Sequence, residues 1–364
     1  MILPPLPPPS SPATQSIPPS LKTESNSYTS NLGLSLPQNY KIEVFAKNLP
    51  GARDLEFSPG GILLVSLTGT GKVVAVKKDG TTQEILSGLQ RPHGLAFYQG
   101  KLFVAEETQV VRYNWGESNL QATKDKVLFP LPKGGNHFTR SLVFDKNGQL
   151  FVSIGSTCNV CQEKDSRYAS IMVSDAEGNK PRIYANGLRN SVFMAINPIT
   201  SDLWATDMGR DLIGDNIPPD EINIIKEGNN YGWPTCYGDR VHDNNFDPQN
   251  NGRCNPTIPP TYEIPAHSAP LGLVFINSPL FPQDWQGDLL VSYHGSWNRS
   301  TPTGYKVVHL KVKGNTITGA EDFLSGFLKG NQTIGRPVDV IINNAALYVS
   351  DDKAGIIYRI TRQR

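Results

Sequence analysis

The stretch GNHFTRSLVFDKNGQLFVSIGS, Gly135–Ser156, decides how this chain is read. A loop carrying Asn136, His137, Thr139 and Arg140 runs into a short apolar strand, Leu142–Phe144. The turn DKNG reverses the chain, and a second strand follows with the pattern L-x-V-S. Short apolar runs bounded by Gly and Asn read as strands. The histidine stands where a loop dives into a strand, which suits a side chain aimed into a shared cavity.

The same unit recurs along the chain. Earlier copies are LPGARDLEFSPGGILLVSLTGTGKVVAV and LQRPHGLAFYQGKLFVAEETQVVRY. Later ones are GLRNSVFMAINPITSDLWATDMGRD with DEINII, then HSAPLGLVFINSPLFPQDWQGDLLVSYHGSWNRSTPTGYKVVHL, which carries insertions, and GRPVDVIINNAALYVSDDKAGIIYRI. The alternating strands of one unit cannot bury both faces alone. Packing such sheets radially around an axis solves that problem and protects their edges. Six units predict an all-β, six-bladed β-propeller. The segment YKIEVFAKNL, Tyr40–Leu49, is a lone strand ahead of the first repeat and is expected to close the ring as the outer strand of the last blade. A β-sandwich would not produce this recurrence.

Composition bounds the function. The chain has 34 Lys+Arg against 33 Asp+Glu, which argues against bulk attraction to nucleic acid or an anionic membrane surface. No apolar run reaches the length of a membrane span. The 33 Gly and 29 Pro suit short strands and tight turns. Residues 1–36 are rich in Pro, Ser and Thr and read as a solvated, semi-extended linker ahead of a propeller domain over 37–364. The linker lacks the basic and apolar regions of a signal peptide. A leader is therefore expected to have been removed or to lie upstream, the alternative being a disordered cytosolic tail.

The four cysteines are Cys158 and Cys161 in CNVC, then Cys236 and Cys254. Zinc is one reading of two pairs, but the pairs lie far apart and the second is widely spaced. A redox CxxC would need a helix after its first Cys. Two local disulfides in the loops of an exported protein, periplasmic or extracellular, are the preferred assignment.

In a propeller the loops leading into the innermost strands gather at one end of the central channel. In chain order they supply Arg53, then Arg91 and His93, His137 and Arg140, Arg189 and Asn190, His267, and Arg336. Structure alone asks for small or apolar residues there. Cations and imidazoles in most repeats of a nearly neutral chain predict an anionic ligand at the channel mouth.

Several of these stretches carry a family resemblance: NHFTRSLVF, GSTCNVC, GLRNSVF, DEINIIKEGNNYGWP, PAHSAPLGLVF, HGSWNRSTPTGYKVV and GRPVDV. On them, the chain from about Tyr40 to Arg364 resembles the soluble glucose/sorbosone dehydrogenase family. Within it, the closer likeness is to the L-sorbosone and pyranose dehydrogenase branch that depends on pyrroloquinoline quinone (PQQ). The resemblance implies a PQQ- and Ca²⁺-dependent oxidoreductase that oxidises an aldose, pyranose or sorbosone-like aldehyde by hydride transfer. Its electrons would pass to an external cytochrome or quinone.

The resemblance also assigns roles. PQQ has three carboxylates, which Arg and His side chains at one channel mouth would neutralise. His137 is implied as the general base that takes the hydroxyl proton, with Asn136 where the family carries a carboxylate. Arg189 and Asn190 match the RN pair, with Arg189 against the quinone to stabilise charge on reduction. Arg336 matches a carboxylate-binding Arg. A second Arg of that clamp is Val338 here, so Arg53, His294 and Arg299 are the expected substitutes.

The metal's backbone ligands fall on TDMGRD, which assigns the Gly209 and Arg210 carbonyls to an ion acting as Lewis acid. Arg210 stands where the family often has Pro. Trp297 is assigned to stacking on cofactor or sugar, or to packing. Tyr231 and Trp233 are expected to pack between blades, and Asp220 and Glu221 to bind a structural Ca²⁺ or to cap turns. His93 and His267 follow as further channel-mouth candidates. A metal-dependent lactonase-type hydrolase and a non-catalytic carbohydrate- or peptide-binding propeller are the competing classes, and neither accounts for the cationic loops.

Overall fold

The second strand of each repeat is its most apolar segment. Leu63–Leu67, Leu289–Tyr293 and Ala346–Asp351 are buried at every residue. A strand covered on both faces needs a packed layer on either side. The computed structural model, which describes residues 27–249 and 252–363, supplies that cover with six four-stranded antiparallel sheets.

The first blade is Ala52–Phe57, Leu63–Leu67, Lys72–Val76 and Thr82–Leu86. The second to fifth blades begin at inner strands Leu95–Tyr98, Leu142–Phe144, Met194–Ile196 and Pro270–Phe275. The sixth runs Pro337–Asn343, Ala346–Asp351 and Ile356–Arg362, and its outer strand is Tyr40–Lys47. That N-terminal strand pairs with Ile356–Arg362 and closes the ring, as the lone-strand reading expected. Among the described residues there is no α-helix; the only helical turns are the short 3₁₀ segments Thr68–Thr70 and Gln283–Trp285.

Six apolar clusters fill the six spaces between blades. Leu64 and Val73 meet Leu102 and Val104 between the first two, and Leu55 and Val65 meet Tyr348 and Ile357 between the last and the first. The repeat's recurring polar letters have local jobs. The inner strands of the first and sixth blades slip register against their neighbours after Ala52 and Pro337, which leaves inner-strand N–H groups without a ladder partner. The Ser of L-x-V-S supplies the acceptor: Ser66 takes the Asp54 N–H at 3.1 Å, Ser153 the Ser141 N–H at 3.2 Å and Ser350 the Asp339 N–H at 3.0 Å. In even-numbered blades the next residue is acidic: Glu106, Asp207 and Asp351, against Leu67, Ile154 and Tyr293 in the odd ones. Each of the three carboxylates accepts a backbone N–H from the loop before its own inner strand, at Gln90 (2.5 Å), Arg189 (3.0 Å) and Arg336 (2.9 Å).

One boundary differs from the sequence reading. Ser27–Thr29 and Ser35–Pro37 form a hairpin that joins the fifth and sixth blades' core, with Leu34 and Leu36 each 2% exposed. The packed body therefore begins inside the segment read as linker, because two leucines among polar residues are enough to dock it. The rest of that linker, residues 1–26, lies outside the described residues. Both cysteine pairs are disulfides, Cys158–Cys161 and Cys236–Cys254, so zinc is not their role.

Candidate active site

The loops into the inner strands open on a cavity of about 250 Å³. Six residues expected at the site line it: His137, Arg189, Asn190, Gly209, His294 and Arg336. His267 and Trp297 line it too.

His137 is fixed from two sides. Its Nδ1 lies 3.0 Å from the Ser156 carbonyl and 2.9 Å from the Ser156 hydroxyl, whose own proton goes to the Cys158 carbonyl. Both groups act as acceptors, so Nδ1 carries the proton and Nε2 is left with a lone pair. Nε2 has no protein partner among the described residues. Burial, then the Arg189 charge, lower the imidazole's pKa to about 3, so it is neutral. Beneath it, Arg140 is fully buried and donates to the carbonyls of His137 (2.9 Å), Thr139 (2.9 Å) and Pro132 (3.0 Å). Arg140 thus shapes the loop and does not face the cavity, contrary to its place in the expected ring.

Arg189 is a hub. Asp207 takes the backbone N–H groups of Arg189 (3.0 Å) and Asn190 (2.6 Å), which sets both side chains. The guanidinium donates to Asn159 O and Oδ1 (both 2.9 Å), Met208 O (3.2 Å), Gly209 O (2.9 Å) and the Asp211 carboxylate (2.9 Å). Asp211 is held in turn by Asn298 Nδ2 at 2.8 Å. Glycine is required at 209, since a Cβ there would lie 2.6 Å from the Pro219 carbonyl. Asp220 accepts from the Gly209 N–H (2.9 Å) and the Ala269 N–H (2.8 Å), a capping role. Glu221 likewise takes the Gly238 N–H at 2.9 Å.

On the opposite wall Arg336 donates to the carbonyls of His294 (3.1 Å) and Gly295. It is the lining guanidinium without a carboxylate in ion-pair range among the described residues. His294 Nε2 lies 3.0 Å from both oxygens of Asp352, and Arg53 Nη1 reaches the same carboxylate at 3.0 Å. Burial lowers His294 to about 4, so it is neutral. Burial raises Asp352, but the His294 hydrogen bond and the Arg53 charge outweigh it and hold the acid at about 2.

Two sequence assignments, Arg53 and Arg299, are corrected by these contacts. Arg53 does not line the cavity and acts behind it through Asp352. Arg299 sits on the rim, tying the fifth blade's insertion to Ala266 O (3.1 Å) and Asn216 Oδ1 (3.1 Å). The Arg210 side chain pairs with Asp243 at 2.6 Å, outside the cavity, which leaves the assignment of its backbone carbonyl untouched. His294, a neutral partner of Asp352, does line the cavity. Of the remaining channel-mouth candidates, Arg91 lies over the Phe138 ring and pairs with Glu107 at 3.5 Å, and His93 is fully buried against Phe193. His267 adopts a left-handed backbone (φ 64°) and bonds the Gly214 carbonyl at 2.8 Å.

Residues missed in the sequence are the anions and amides that balance these cations: Asn159, Asp211, Asp352 and Asn298. Asn159, inside CNVC, was the most findable, because a disulfide loop soon after the third blade's second strand, Gln149–Ile154, is a rigid place to mount a polar side chain. Among the described residues, the only groups of three potential metal-ligating side chains surround the two disulfides, so the cavity offers no such cluster for a lactonase-type metal.

The TrAA12-like family model matches residues 34–363. An uncharacterized protein of Borreliella burgdorferi is 34% identical over 348 residues, 90% of each chain. A PQQ-dependent pyranose dehydrogenase of Coprinopsis cinerea is 24% identical over 405 residues, covering 90% of this chain and 54% of the fungal protein, so the chain spans about half of that relative. Among solved structures, the holo form of the Coprinopsis cinerea pyranose dehydrogenase PQQ domain superimposes with a TM-score of 0.78 at 20% identity, over 90% of this chain and 97% of that one.

Proposed function

The chain belongs to the TrAA12-like family, and on that premise we propose that it is a PQQ-dependent dehydrogenase that oxidises a neutral sugar at its anomeric hydroxyl. One observation carries the reading. A single cavity brings together an imidazole of fixed tautomer, His137, and a guanidinium lacking a carboxylate, Arg336.

The residues fit such a cofactor. Arg336 can take one of its carboxylates as a charge-assisted pair. The Asn298 Oδ1 is buried without a partner, and Trp297 stands 69% exposed at the rim as aromatic surface. A calcium ion fits less well. It takes about six to eight oxygens, and the Gly209 carbonyl assigned to it already accepts the Arg189 guanidinium. The reaction is therefore assigned to His137, Ser156 and Arg189, with no step routed through a metal.

When bound, PQQ supplies the two-electron acceptor to which the anomeric hydrogen leaves as hydride. His137 Nε2 takes the hydroxyl proton as the C–O bond becomes a carbonyl, and Ser156 holds the ring in the required tautomer. An imidazole at about 3 is a weak base. An anionic ligand beside it favours the protonated form and moves that value upward, toward the operating range. Arg189, held by Asn159, Met208, Gly209 and Asp211, would offer its guanidinium to stabilise the negative charge that develops on the cofactor when it is reduced. Two disulfides support an oxidising compartment, periplasmic or extracellular, and so an external electron acceptor.

Reconstitution tests the reading. Apoprotein titrated with PQQ should saturate, and its absorption should change when an aldose or a sorbosone-like aldehyde is added. No saturable PQQ binding would overturn the cofactor; binding without a spectral response to any such sugar would overturn the substrate class.

A further inference from the structure

A second cavity lies beside the first, between the third and fourth blades. Its volume is about 430 Å³ against about 250 Å³, and the two share no lining residue. The wall between them includes Trp233, whose indole N–H donates to the Asn159 carbonyl at 3.4 Å, and Asn159 in turn holds Arg189. Both disulfides flank this groove. Gln162 and Glu163 follow Cys161 directly, while Cys236 lines the wall and Arg253 precedes Cys254. The loop closed by the second bridge supplies no residue to the active-site cavity. Its covalent staple is unexplained by the chemistry there.

The charged groups of the groove are already matched. Glu163 accepts from the Thr157 N–H (2.6 Å) and hydroxyl (2.9 Å), and Arg253 pairs with Asp247 at 3.1 Å. The side chains of Gln162, Ser166 and Asn186 make no hydrogen bond among the described residues. Trp233 and Tyr168 add aromatic surface, the Tyr168 hydroxyl being tied to the Lys133 carbonyl at 2.8 Å.

This chemistry favours a neutral polyol over an ion. Amides donate and accept at once, as sugar hydroxyls do, and an aromatic face covers the apolar C–H face of a pyranose. We infer that the groove is an auxiliary saccharide-binding site for neutral pyranose units, on walls stiffened by both disulfides. Preorganised walls reduce the ordering cost that weakens sugar binding. The inference goes beyond the redox reading and is tested by binding alone.

The experiment is calorimetric titration of the full, disulfide-intact chain with maltotriose and with cellotriose, backed by tryptophan fluorescence. At least one trisaccharide should bind with a dissociation constant on the order of 1 mM. The double variant Gln162→Ala/Ser166→Ala changes two exposed residues and leaves the core alone. It should weaken binding about tenfold, Trp233→Ala should weaken it further, and Arg336→Ala should stay within about twofold of wild type. No saturable binding at tens of millimolar would overturn the inference. So would binding untouched by the groove double variant, whatever Arg336→Ala does, since the sugar would then lie elsewhere.

Discussion

Two cavities of nearly equal volume lie along the same ring of inner strands, and their chemistry differs. The candidate active-site cavity, about 250 Å³, is built from loops and presents guanidiniums and imidazoles beside Asp211 and Asp220. The channel cavity, about 230 Å³, is lined by the inner strands themselves and holds Asp54, Glu56 and Asp339. Those acids clamp one blade to the next: Asp54 accepts the Leu95 N–H (2.5 Å), Glu56 the Phe97 N–H (3.3 Å) and Asp339 the Leu55 N–H (2.9 Å). Burial pushes Glu56 up to about 8 and Asp54 well above the carboxylate range. It pushes His137 and His294 down, to about 3 and about 4. The same force discharges both sets. What separates them is geometry: strand-borne acids give their oxygens to neighbouring blades, whereas the loops leave His137 Nε2 and Arg336 open to a ligand.

The largest test of that contrast is His137→Ala. It should lower kcat by about 10²- to 10⁴-fold, the scale for losing a positioned acid/base, while PQQ still binds. Stopped-flow reduction of bound PQQ at saturating sugar measures it, and a wild-type rate would make His137 as structural as the channel acids. Next in size is Arg336→Ala. Losing a charge-assisted pair of roughly 1.5–3 kcal/mol should weaken PQQ binding by about 10- to 150-fold. Fluorescence titration of apoprotein reads the change, and an unchanged affinity would remove Arg336 from the site.

The fold was legible because an L-x-V-S-like strand repeats in sequence, its serine taking an inner-strand N–H in the first, third and sixth blades. The cavity's lining was legible where it follows from a residue's place just before an inner strand, as for His137, Arg189 and Arg336. It was not legible where the role depends on a partner far along the chain. Arg53 meets Asp352, and Arg210 meets Asp243, through contacts that no local pattern announces. The cationic ring overcounted for the same reason: Arg140 sits where a ligand-binding Arg would sit, but its donors are used by three backbone carbonyls of its own loop. The hairpin at Ser27–Pro37 was hidden by composition, since Leu34 and Leu36 are outvoted by the prolines and serines around them.

The smallest expected effect is on stability, and it has opposite signs in the two cavities. Glu56 titrates at 4.5 when unfolded and at about 8 when folded, so the native state holds an extra proton between those values. Its contribution is present below the unfolded value and is lost as pH rises through about 8. His137 runs the other way: 6.5 unfolded and about 3 folded, with stability present above 6.5 and lost as pH falls. Glu56→Gln keeps the shape and removes the titration. Its melting temperature should gain on wild type by about 1–3 °C between about pH 5 and about pH 9. His137→Ala should gain on wild type only toward acid pH. Thermal melts across that range decide the matter. A Glu56→Gln difference independent of pH would mean that the folded protein carries an ionised carboxylate in the channel, half-buried Glu56 being solvated by a wet cavity. The channel would then be a second charged chamber, and strand-borne placement alone would not be what discharges a buried acid in this ring.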